Sequence, residues 1–245
     1  MRIGILETGE VSEEFRPRFG SYPDMFRVLF AEVAPDFDFF TVHVVKGEMP
    51  ASPNAADGWL VTGSRHGVYD PLPWIAPLEG FLRDCLASHV PVAGICFGHQ
   101  ILAQALGGRA GKASHGWGIG VHGYEMRARP DWMAGIPQQF SMQAMHQDQV
   151  TALPEGAHVL ASSDFCPIAA VSYGSIDAPD AISIQPHPEF GAGYASDLIA
   201  TRSGTVFPQD LAETAQRGIG RPVHSREWAR AIAEFFRLSR ASENT

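Results

Sequence analysis

The sequence predicts an α/β fold: an open, mostly parallel, twisted sheet with helices on both faces, plus a small antiparallel sheet. Strand-like and helix-like segments alternate through the first half of the chain, a pattern typical of parallel strands joined by crossover helices. The second half has strand-like segments in succession, which indicates hairpin or mixed pairing. The chain has 245 residues without a visible linker or internal repeat, so we expect one domain spanning residues 1–245.

The first half supplies the predicted parallel strands and their helices. Residues 2–7 form a short apolar strand, and residues 22–34 place large apolar side chains three and four apart, as one face of a helix does. The next strands are predicted at residues 37–45 and 57–64, followed by a helix at 74–89. Residues 90–95 are apolar without alternation, as expected of a strand covered on both faces. A helix at 99–108 ends at paired glycines.

The second half begins with two predicted strands, at residues 118–128 and 139–150. Between the halves, we interpret residues 114–120 as a surface hairpin turn, although its glycines and Trp117 could instead form part of an acceptor wall. An apolar strand within residues 181–190 ends in a turn marked by prolines. Residues 224–240 form an amphipathic closing helix with Trp228, Ile232, Phe235 and Phe236 on one side, and disorder is expected only in the final ASENT segment.

Composition excludes several classes of function. The formal net charge is −9 and no Lys/Arg stripe is present to neutralise phosphates, so nucleic acid is not an expected partner. Three cysteines without C-x-x-C spacing argue against a disulfide framework and a structural zinc site. No apolar stretch approaches the roughly 20 residues of a membrane span. We therefore expect a cytoplasmic protein with no membrane partner.

Histidine is the remaining candidate for metal binding, and its distribution argues against that role. His115, His122 and His146 are scattered over predicted strands and loops, so we interpret them as ordinary polar residues. No cofactor or metal ion is expected.

The segment PVAGICFGHQ places Cys96 between Gly94 and Gly98, where a central strand ends and a helix begins. Open α/β sheets bind ligands at this edge. A sharp strand-to-helix turn strains the residue at its apex, and glycine neighbours relieve the crowding, as in the G-x-S-x-G nucleophile elbow. The helix N-terminus favours a thiolate. The N–H of Phe97 can donate to an oxyanion formed beside it.

A thiolate nucleophile usually works with a base that is oriented by a third group. Among ten histidines, only His187 ends an apolar strand with a carboxylate two residues later, in SIQPHPEF. Glu189 falls on the same side of an extended chain as His187. The sequence therefore predicts Cys96 as nucleophile, His187 as base and Glu189 as its orienting partner. Cys85 and Cys166 lack a glycine frame, and we interpret them as buried apolar residues.

Four motifs, in the order in which they occur along the chain, resemble those of class I glutamine amidotransferases. GICFGHQ is similar to the family's nucleophile motif, and PHPEF is similar to its His-x-Glu motif. LVTGSRHGVYD resembles the turn that supplies a second oxyanion donor, and MHQDQV (145–150) resembles the segment that grips glutamine. The likeness extends over residues 3–190 and is greatest to stand-alone proteins similar to the glutaminase domain of GMP synthase. It implies a flavodoxin-like sheet.

The resemblance also implies roles for individual residues. Cys96 attacks the γ-carboxamide of glutamine, forming a γ-glutamyl thioester and ammonia, while His187 transfers the protons and Glu189 holds the imidazole. Substrate contacts are implied for the Phe97 N–H and the turn at Gly63 and Ser64, which cradle the oxyanion, and for Gln100, Gln147 and Asp148. The family often has Gly-Gly-Pro where this chain has Gly63-Ser64-Arg65, so the position of the second oxyanion donor stays open.

Three functions are compatible with these motifs. The first is glutamine hydrolysis with ammonia passed to a separate synthetase subunit, because the chain has no phosphate-binding G-x-x-x-x-G-K-[ST] or S-G-G-x-D-S stretch. The second is a stand-alone hydrolase of γ-glutamyl peptides or amides that uses the same three residues. The third is a binding or regulatory module without turnover. In each case the expected small-molecule partner is glutamine or a γ-glutamyl compound.

Overall fold

Eleven strands and seven helices make up the computed structural model, which describes residues 1–242. The strands are β1 (Arg2–Leu6), β2 (Asp38–Val42), β3 (Gly58–Val61), β4 (Val92–Ile95), β5 (Arg109–Lys112), β6 (Gly118–Met126), β7 (Gln139–His146), β8 (Asp148–Ala152), β9 (Ala157–Ser162), β10 (Ala170–Gly174) and β11 (Pro179–Ile184). The helices are α1 (Arg16–Phe19), α2 (Tyr22–Phe30), α3 (Ile75–Ala87), α4 (Phe97–Ala105), α5 (Ala192–Arg202), α6 (Gln209–Gly218) and α7 (Ser225–Ser242). Of the ASENT segment predicted to be disordered, Ala241 and Ser242 instead belong to α7, and residues 243–245 lie outside the described residues.

Nine strands form one sheet in the order β2-β1-β3-β4-β11-β10-β9-β6-β7. The five strands from β2 to β11 are parallel to one another. The strands from β10 to β7 extend the sheet with antiparallel pairing. Strands β5 and β8 form a separate antiparallel pair. The predicted fold class is therefore confirmed, with the antiparallel pairing located in the second half of the chain as the sequence indicates.

Two details of the second half differ from the sequence predictions. Residues 139–150 form two strands rather than one, because the chain leaves the large sheet after His146 and β8 pairs with β5. The backbone carbonyl of Gln147 accepts the N–H of Ala113 at 3.1 Å at this break. The 114–120 segment is not a hairpin turn, since β5 and β6 belong to different sheets and do not pair with each other.

Helices cover both faces of the parallel strands, and neighbouring residues of one strand contribute to opposite cores. Leu60 packs on the α2 and α7 side, in a cluster with Trp228, Phe235 and Phe236. Val61 packs on the α3 and α4 side. This burial on both sides explains why these strands are apolar without alternation. Among the described residues, no helix is both long and apolar enough to cross a membrane.

The carboxyl ends of β3, β4 and β11 are adjacent, because β4 pairs in parallel with the other two strands. The segments that follow these strands contain Gly63, Cys96 and His187, respectively. This edge is where open α/β sheets bind their ligands. The topology thus brings the sequence-predicted residues to one place.

Candidate active site

Cys96 lies at the apex of the turn between β4 and α4, with φ of 53° and ψ of −99°. A positive φ is strained for a residue with a side chain, and such strain is concentrated at functional sites. The flanking glycines are required by close backbone approach. A Cβ on Gly94 would lie 2.4 Å from the carbonyl oxygen of Gly98, and one on Gly98 would lie 2.5 Å from that of Val61. The G-x-C-x-G spacing is therefore a packing requirement of this turn.

His187 is held in place by backbone pairing, by Glu189 and by an aromatic ring. The backbone N–H of His187 donates a hydrogen bond to the backbone carbonyl of Gln143 in β7 at 2.8 Å. Its Nδ1 lies 2.7 Å from Oε1 of Glu189, and both side chains are buried. The ring of Phe190 stacks on the imidazole with centroids 3.9 Å apart and planes inclined by 7°. These contacts fix the orientation of the imidazole and leave Nε2 available on its other side.

The environment of His187 favours its protonated form. Burial lowers the pKa of the imidazole, but the charges of Glu189 and Cys96 and hydrogen bonds to both residues outweigh burial and raise the pKa to about 10. Gly63 lies beside the two groups, because a Cβ there would be 2.9 Å from Cε1 of His187 and 3.6 Å from Cβ of Cys96. Cys96 and His187 are therefore neighbours beside Gly63.

Gln185, which the sequence did not single out, also contacts the thiol. Its side-chain amide Nε2 lies 3.6 Å from Sγ of Cys96, within hydrogen-bonding distance for sulfur. Its Oε1 accepts a hydrogen bond from Nε2 of Gln100 at 3.2 Å, and the same Nε2 donates to the carbonyl of Asp148 at 2.9 Å. Both glutamine side chains are buried. They connect the nucleophile to the segment that contains Asp148.

Two threonines bind the carbonyl of the turn that follows β3. The hydroxyl of Thr8 lies 2.9 Å from the carbonyl oxygen of Thr62 and 3.3 Å from that of Gly63, and the hydroxyl of Thr62 lies 3.1 Å from the carbonyl oxygen of Gly63. Both threonines are fully buried. A trans peptide points its C=O and N–H in opposite directions, so these contacts direct the Ser64 N–H away from the threonines. Phe97 occupies the first position of α4, where an N–H has no intrahelical acceptor.

A cavity of about 420 Å³ opens at Cys96, a volume within the usual range of small-molecule sites. Four of the residues predicted as substrate contacts line it, namely Ser64, Gln100, Gln147 and Asp148. The other two predicted contacts, Gly63 and Phe97, are not among the lining residues. They are neighbours of Cys96, because a Cβ on Gly63 would lie 3.6 Å from Cβ of Cys96 and Phe97 follows Cys96 in the chain. Trp117 also lines the cavity.

The other two cysteines are buried away from solvent. Burial raises the pKa of the Cys85 thiol and that of the Cys166 thiol to about 12 each, so both stay protonated near neutral pH. His146 is buried as well, and burial lowers its pKa to about 3, with a smaller effect of His122. Within the described residues, no cluster of three or more His, Cys, Asp or Glu side chains could hold a metal ion.

Several site residues carry no local sequence signal. Thr8 follows β1, Gln185 is an ordinary polar residue after an apolar strand, and Arg202 ends a helix outside the recognised motifs. Their importance depends on distant segments that only the tertiary fold brings together. The stacking of Phe190 on His187 is different, because the PHPEF motif contains both residues and their proximity could have been anticipated.

Comparisons of the sequence and of the structure with known proteins indicate the same family. The family model for glutamine amidotransferase class-I matches residues 40–202. Gamma-glutamyl peptidase 5 of Arabidopsis thaliana is 29% identical over 99% of this chain and 97% of its own length. A glutamine-hydrolysing GMP synthase subunit of Halobacterium salinarum is 31% identical over 63% of this chain and 78% of its own. The crystal structure of a glutamine amidotransferase from Thermotoga maritima superposes with a TM-score of 0.72 at 21% identity, covering 98% of both chains.

Proposed function

The chain belongs to the class I glutamine amidotransferase family, and on that premise we propose that it is a cysteine hydrolase that cleaves γ-glutamyl amide bonds. The observation that carries this proposal is the position of Cys96, strained at the N-terminus of α4 and facing both the buried His187–Glu189 pair and an open cavity. A nucleophile, a base and an orienting carboxylate in this order are the components of covalent acyl transfer.

The proposed reaction has two chemical steps. The thiolate of Cys96 attacks the γ-carbonyl, and the N–H groups of Phe97 and Ser64 stabilise the oxyanion. Protonated His187 then donates its proton to the departing nitrogen, the C–N bond breaks, and a γ-glutamyl thioester remains. In the second step neutral His187 removes a proton from water, which attacks the thioester carbonyl. The products are glutamate and the free enzyme, and Glu189 stabilises the imidazolium each time it forms.

We infer that the substrate is a γ-glutamyl peptide or amide whose leaving group is larger than ammonia. The cavity supports this inference, because its lining extends from Cys96 to Arg202 and Val206 at the end of α5. The match to gamma-glutamyl peptidase 5 over nearly the full length of both chains also supports it. A site adapted to ammonia alone would need little room beyond the amide nitrogen.

Glutamine hydrolysis with transfer of ammonia to a synthetase partner is the second candidate. It is favoured by the similarity to the Halobacterium salinarum protein, whose name describes one subunit of a glutamine-hydrolysing GMP synthase. In that case, ammonia release from glutamine should increase when a synthetase partner is added. The two candidates use the same three residues and differ only in the leaving group.

A substrate panel separates these candidates. We expect the purified protein to release amine from γ-glutamyl peptides or γ-glutamyl amines faster than ammonia from glutamine. The Cys96→Ala variant should lose all of this activity while keeping its circular dichroism spectrum, and Cys85→Ala is the matched control that keeps activity. Activity retained in Cys96→Ala would refute the mechanism. A wild-type protein inactive across the whole panel would favour the binding-module alternative.

Covalent trapping tests the identity of the nucleophile independently. Treatment with 6-diazo-5-oxo-norleucine should add one label per chain, on the peptide that contains Cys96, as mapped by mass spectrometry. Cys85 and Cys166 should stay unlabelled, because burial keeps their thiols protonated and inaccessible. A label on either of those residues would show that the wrong thiol had been assigned.

A further inference from the structure

Three basic side chains line the cavity beside Cys96: Arg65, Lys112 and Arg202. They come from different parts of the fold, namely the turn after β3, the end of β5 and the end of α5. Within the part of the chain that the structure describes, none of the three takes part in an ion pair. Their convergence on one cavity contrasts with the net charge of −9 on the whole chain.

The acidic residues of the same cavity already have partners. Oδ2 of Asp148 accepts a hydrogen bond from the hydroxyl of Tyr69 at 2.8 Å. Oδ2 of Asp70 accepts the N–H of Gly67 at 3.0 Å and lies 3.7 Å from Nδ1 of His66. These neutral donors leave both carboxylates charged, so the three cations of the lining exceed its two carboxylates by one positive charge. Such a local excess of one sign attracts ligands of the opposite sign.

We propose that Arg65, Lys112 and Arg202 form a carboxylate-binding subsite for the leaving group, an inference that rests on the proposed γ-glutamyl hydrolase function. The glutamyl part of any substrate has one α-carboxylate, which engages at most one or two of these cations. The remaining positive charge matches a second carboxylate beyond the scissile bond. The substrate class is therefore γ-glutamyl amino acids and peptides, in preference to γ-glutamyl amines and simple amides.

Arginine and lysine suit this role in complementary ways. The guanidinium groups of Arg65 and Arg202 can each hold a carboxylate through two parallel hydrogen bonds, whereas Lys112 contributes a mobile point charge. Arg65 directly follows the Gly63-Ser64 turn. The departure from the family's Gly-Gly-Pro pattern thus places a cation next to the proposed oxyanion donor.

A matched pair of substrates tests the subsite. γ-Glutamyl-glycine and γ-glutamyl-glycinamide differ only in a terminal carboxylate, and kcat/KM is measured for both by quantifying the released glycine or glycinamide. We expect the wild-type protein to prefer the carboxylate by about tenfold or more, the size of a charge-assisted contact. In the Arg65→Gln, Lys112→Gln, Arg202→Gln triple variant the ratio should approach one. Because both substrates meet the same preparation, loss of folded enzyme cannot change this ratio.

Two substitutions outside the cavity serve as controls. Lys46→Gln removes the only other lysine, and Arg230→Gln removes an exposed arginine of α7; both should retain the wild-type ratio. A wild-type ratio near one, or an unchanged ratio in the triple variant, would overturn the proposed subsite.

Equilibrium binding keeps the inference testable without turnover. Calorimetry with the Cys96→Ala protein should give about tenfold tighter binding of γ-glutamyl-glycine than of γ-glutamyl-glycinamide, and equal affinities would contradict the subsite. A preference in binding with no hydrolysis of either compound by wild-type protein would support the subsite while refuting the proposed hydrolase function.

Discussion

At the scale of single residues, the charge on His187 depends on its neighbours. Burial disfavours an imidazolium, yet Glu189 and Cys96 together raise the pKa of His187 to about 10. Oε2 of Glu189 is buried without a hydrogen-bond partner among the described residues, so the interaction of this carboxylate is concentrated on the imidazole. A histidine that is protonated near neutral pH is suited to protonate a leaving group.

The Glu189→Gln variant should lower the pKa of His187, because burial then acts against a weaker opposing charge. An NMR titration of the imidazole Cε1 proton should show deprotonation near pH 10 in the wild-type protein and at lower pH in the variant. We also expect kcat to fall roughly 10²-fold. Glu155→Gln, at an exposed position, is the control. An unchanged titration of His187 in Glu189→Gln would contradict the assigned role of Glu189.

The same shift has a consequence for stability. A raised pKa in the folded state means that the protonated imidazole stabilises the fold fully below its ordinary pKa of 6.5 and progressively less as the pH rises through about 10. The free energy of unfolding of wild-type protein relative to Glu189→Gln should therefore decline over this interval. Urea denaturation at several pH values measures the difference, and a difference that grew with pH would have the wrong sign.

We propose that Thr8 is a positioning residue, because its hydroxyl lies 3.3 Å from the Gly63 carbonyl oxygen and so helps to set the direction of the Ser64 N–H. Thr8→Val keeps the shape of the side chain and removes the donor. We expect kcat to fall roughly tenfold with a smaller change in KM, since an oxyanion is stabilised only as the transition state forms. Thr8→Ser should restore kcat. Equal losses in both variants, or a change in KM alone, would argue against this role.

The sequence predicted Cys96, His187 and Glu189 as candidates because their chemistry and backbone geometry produce a local pattern. The glycines around the cysteine are needed for contacts under 3 Å, and the His-x-Glu spacing places two side chains on one side of the chain. Thr8 and Gln185 produce no such pattern. Each acts through a partner 54 or more positions away, and one sequence gives no information about such pairings.

At the scale of elements, the turn from β4 into α4 depends on close backbone packing. Gly98→Ala would place its Cβ 2.5 Å from the carbonyl oxygen of Val61, and β3 cannot move without disturbing the sheet. We expect a loss of unfolding free energy of about 1–3 kcal/mol or more, together with loss of activity. Urea denaturation and the hydrolysis assay measure the two effects.

Gly80→Ala is the matched control for that substitution. Gly80 lies within α3, and the nearest heavy atom to an added Cβ is Nη2 of Arg83 at 3.9 Å. Alanine favours a helix interior over glycine, so this variant should be more stable by about 0.5–1 kcal/mol. If both glycine variants changed stability alike, the explanation based on backbone contact would be wrong.

The strands and helices were predictable where the spacing of apolar residues fits only one type of secondary structure. The central parallel strands and helices α2, α3, α4 and α7 correspond to apolar runs or helical faces in the sequence. The break between β7 and β8 was not predictable, because residues 139–150 look strand-like throughout and only pairing with β5 decides where the first strand ends. Strand pairing is a tertiary property.

At the scale of the whole molecule, the site is assembled from both halves of the sheet. The parallel half provides Cys96, and β11 leads to His187 at the junction of the halves. The antiparallel half fixes His187 through Gln143, and the separate β5–β8 pair contributes Asp148. The motifs lie far apart in the sequence, and the strand order of the sheet makes them neighbours. A substitution in either half can therefore disturb the same reaction.

The overall charge and the charge of the cavity have opposite signs, and ionic strength shows which one governs substrate capture. The net charge of −9 repels an anion such as γ-glutamyl-glycine, whereas the unpaired cations at the cavity attract it. The Debye length is about 30 Å at 0.01 M salt and about 8 Å at 0.15 M. The nearby cations should dominate, because substrate in the cavity lies much closer to them than to most surface carboxylates.

Raising the salt from about 0.01 to 0.15 M should therefore lower kcat/KM for γ-glutamyl-glycine, by roughly two- to tenfold, with little change in kcat. In the Arg65→Gln, Lys112→Gln, Arg202→Gln variant only the overall negative charge remains, so salt should increase kcat/KM instead. Steady-state kinetics over a sodium chloride series measures both trends. A wild-type kcat/KM that rises with salt would mean that repulsion by the net charge of the molecule is stronger than attraction by the cations of its cavity.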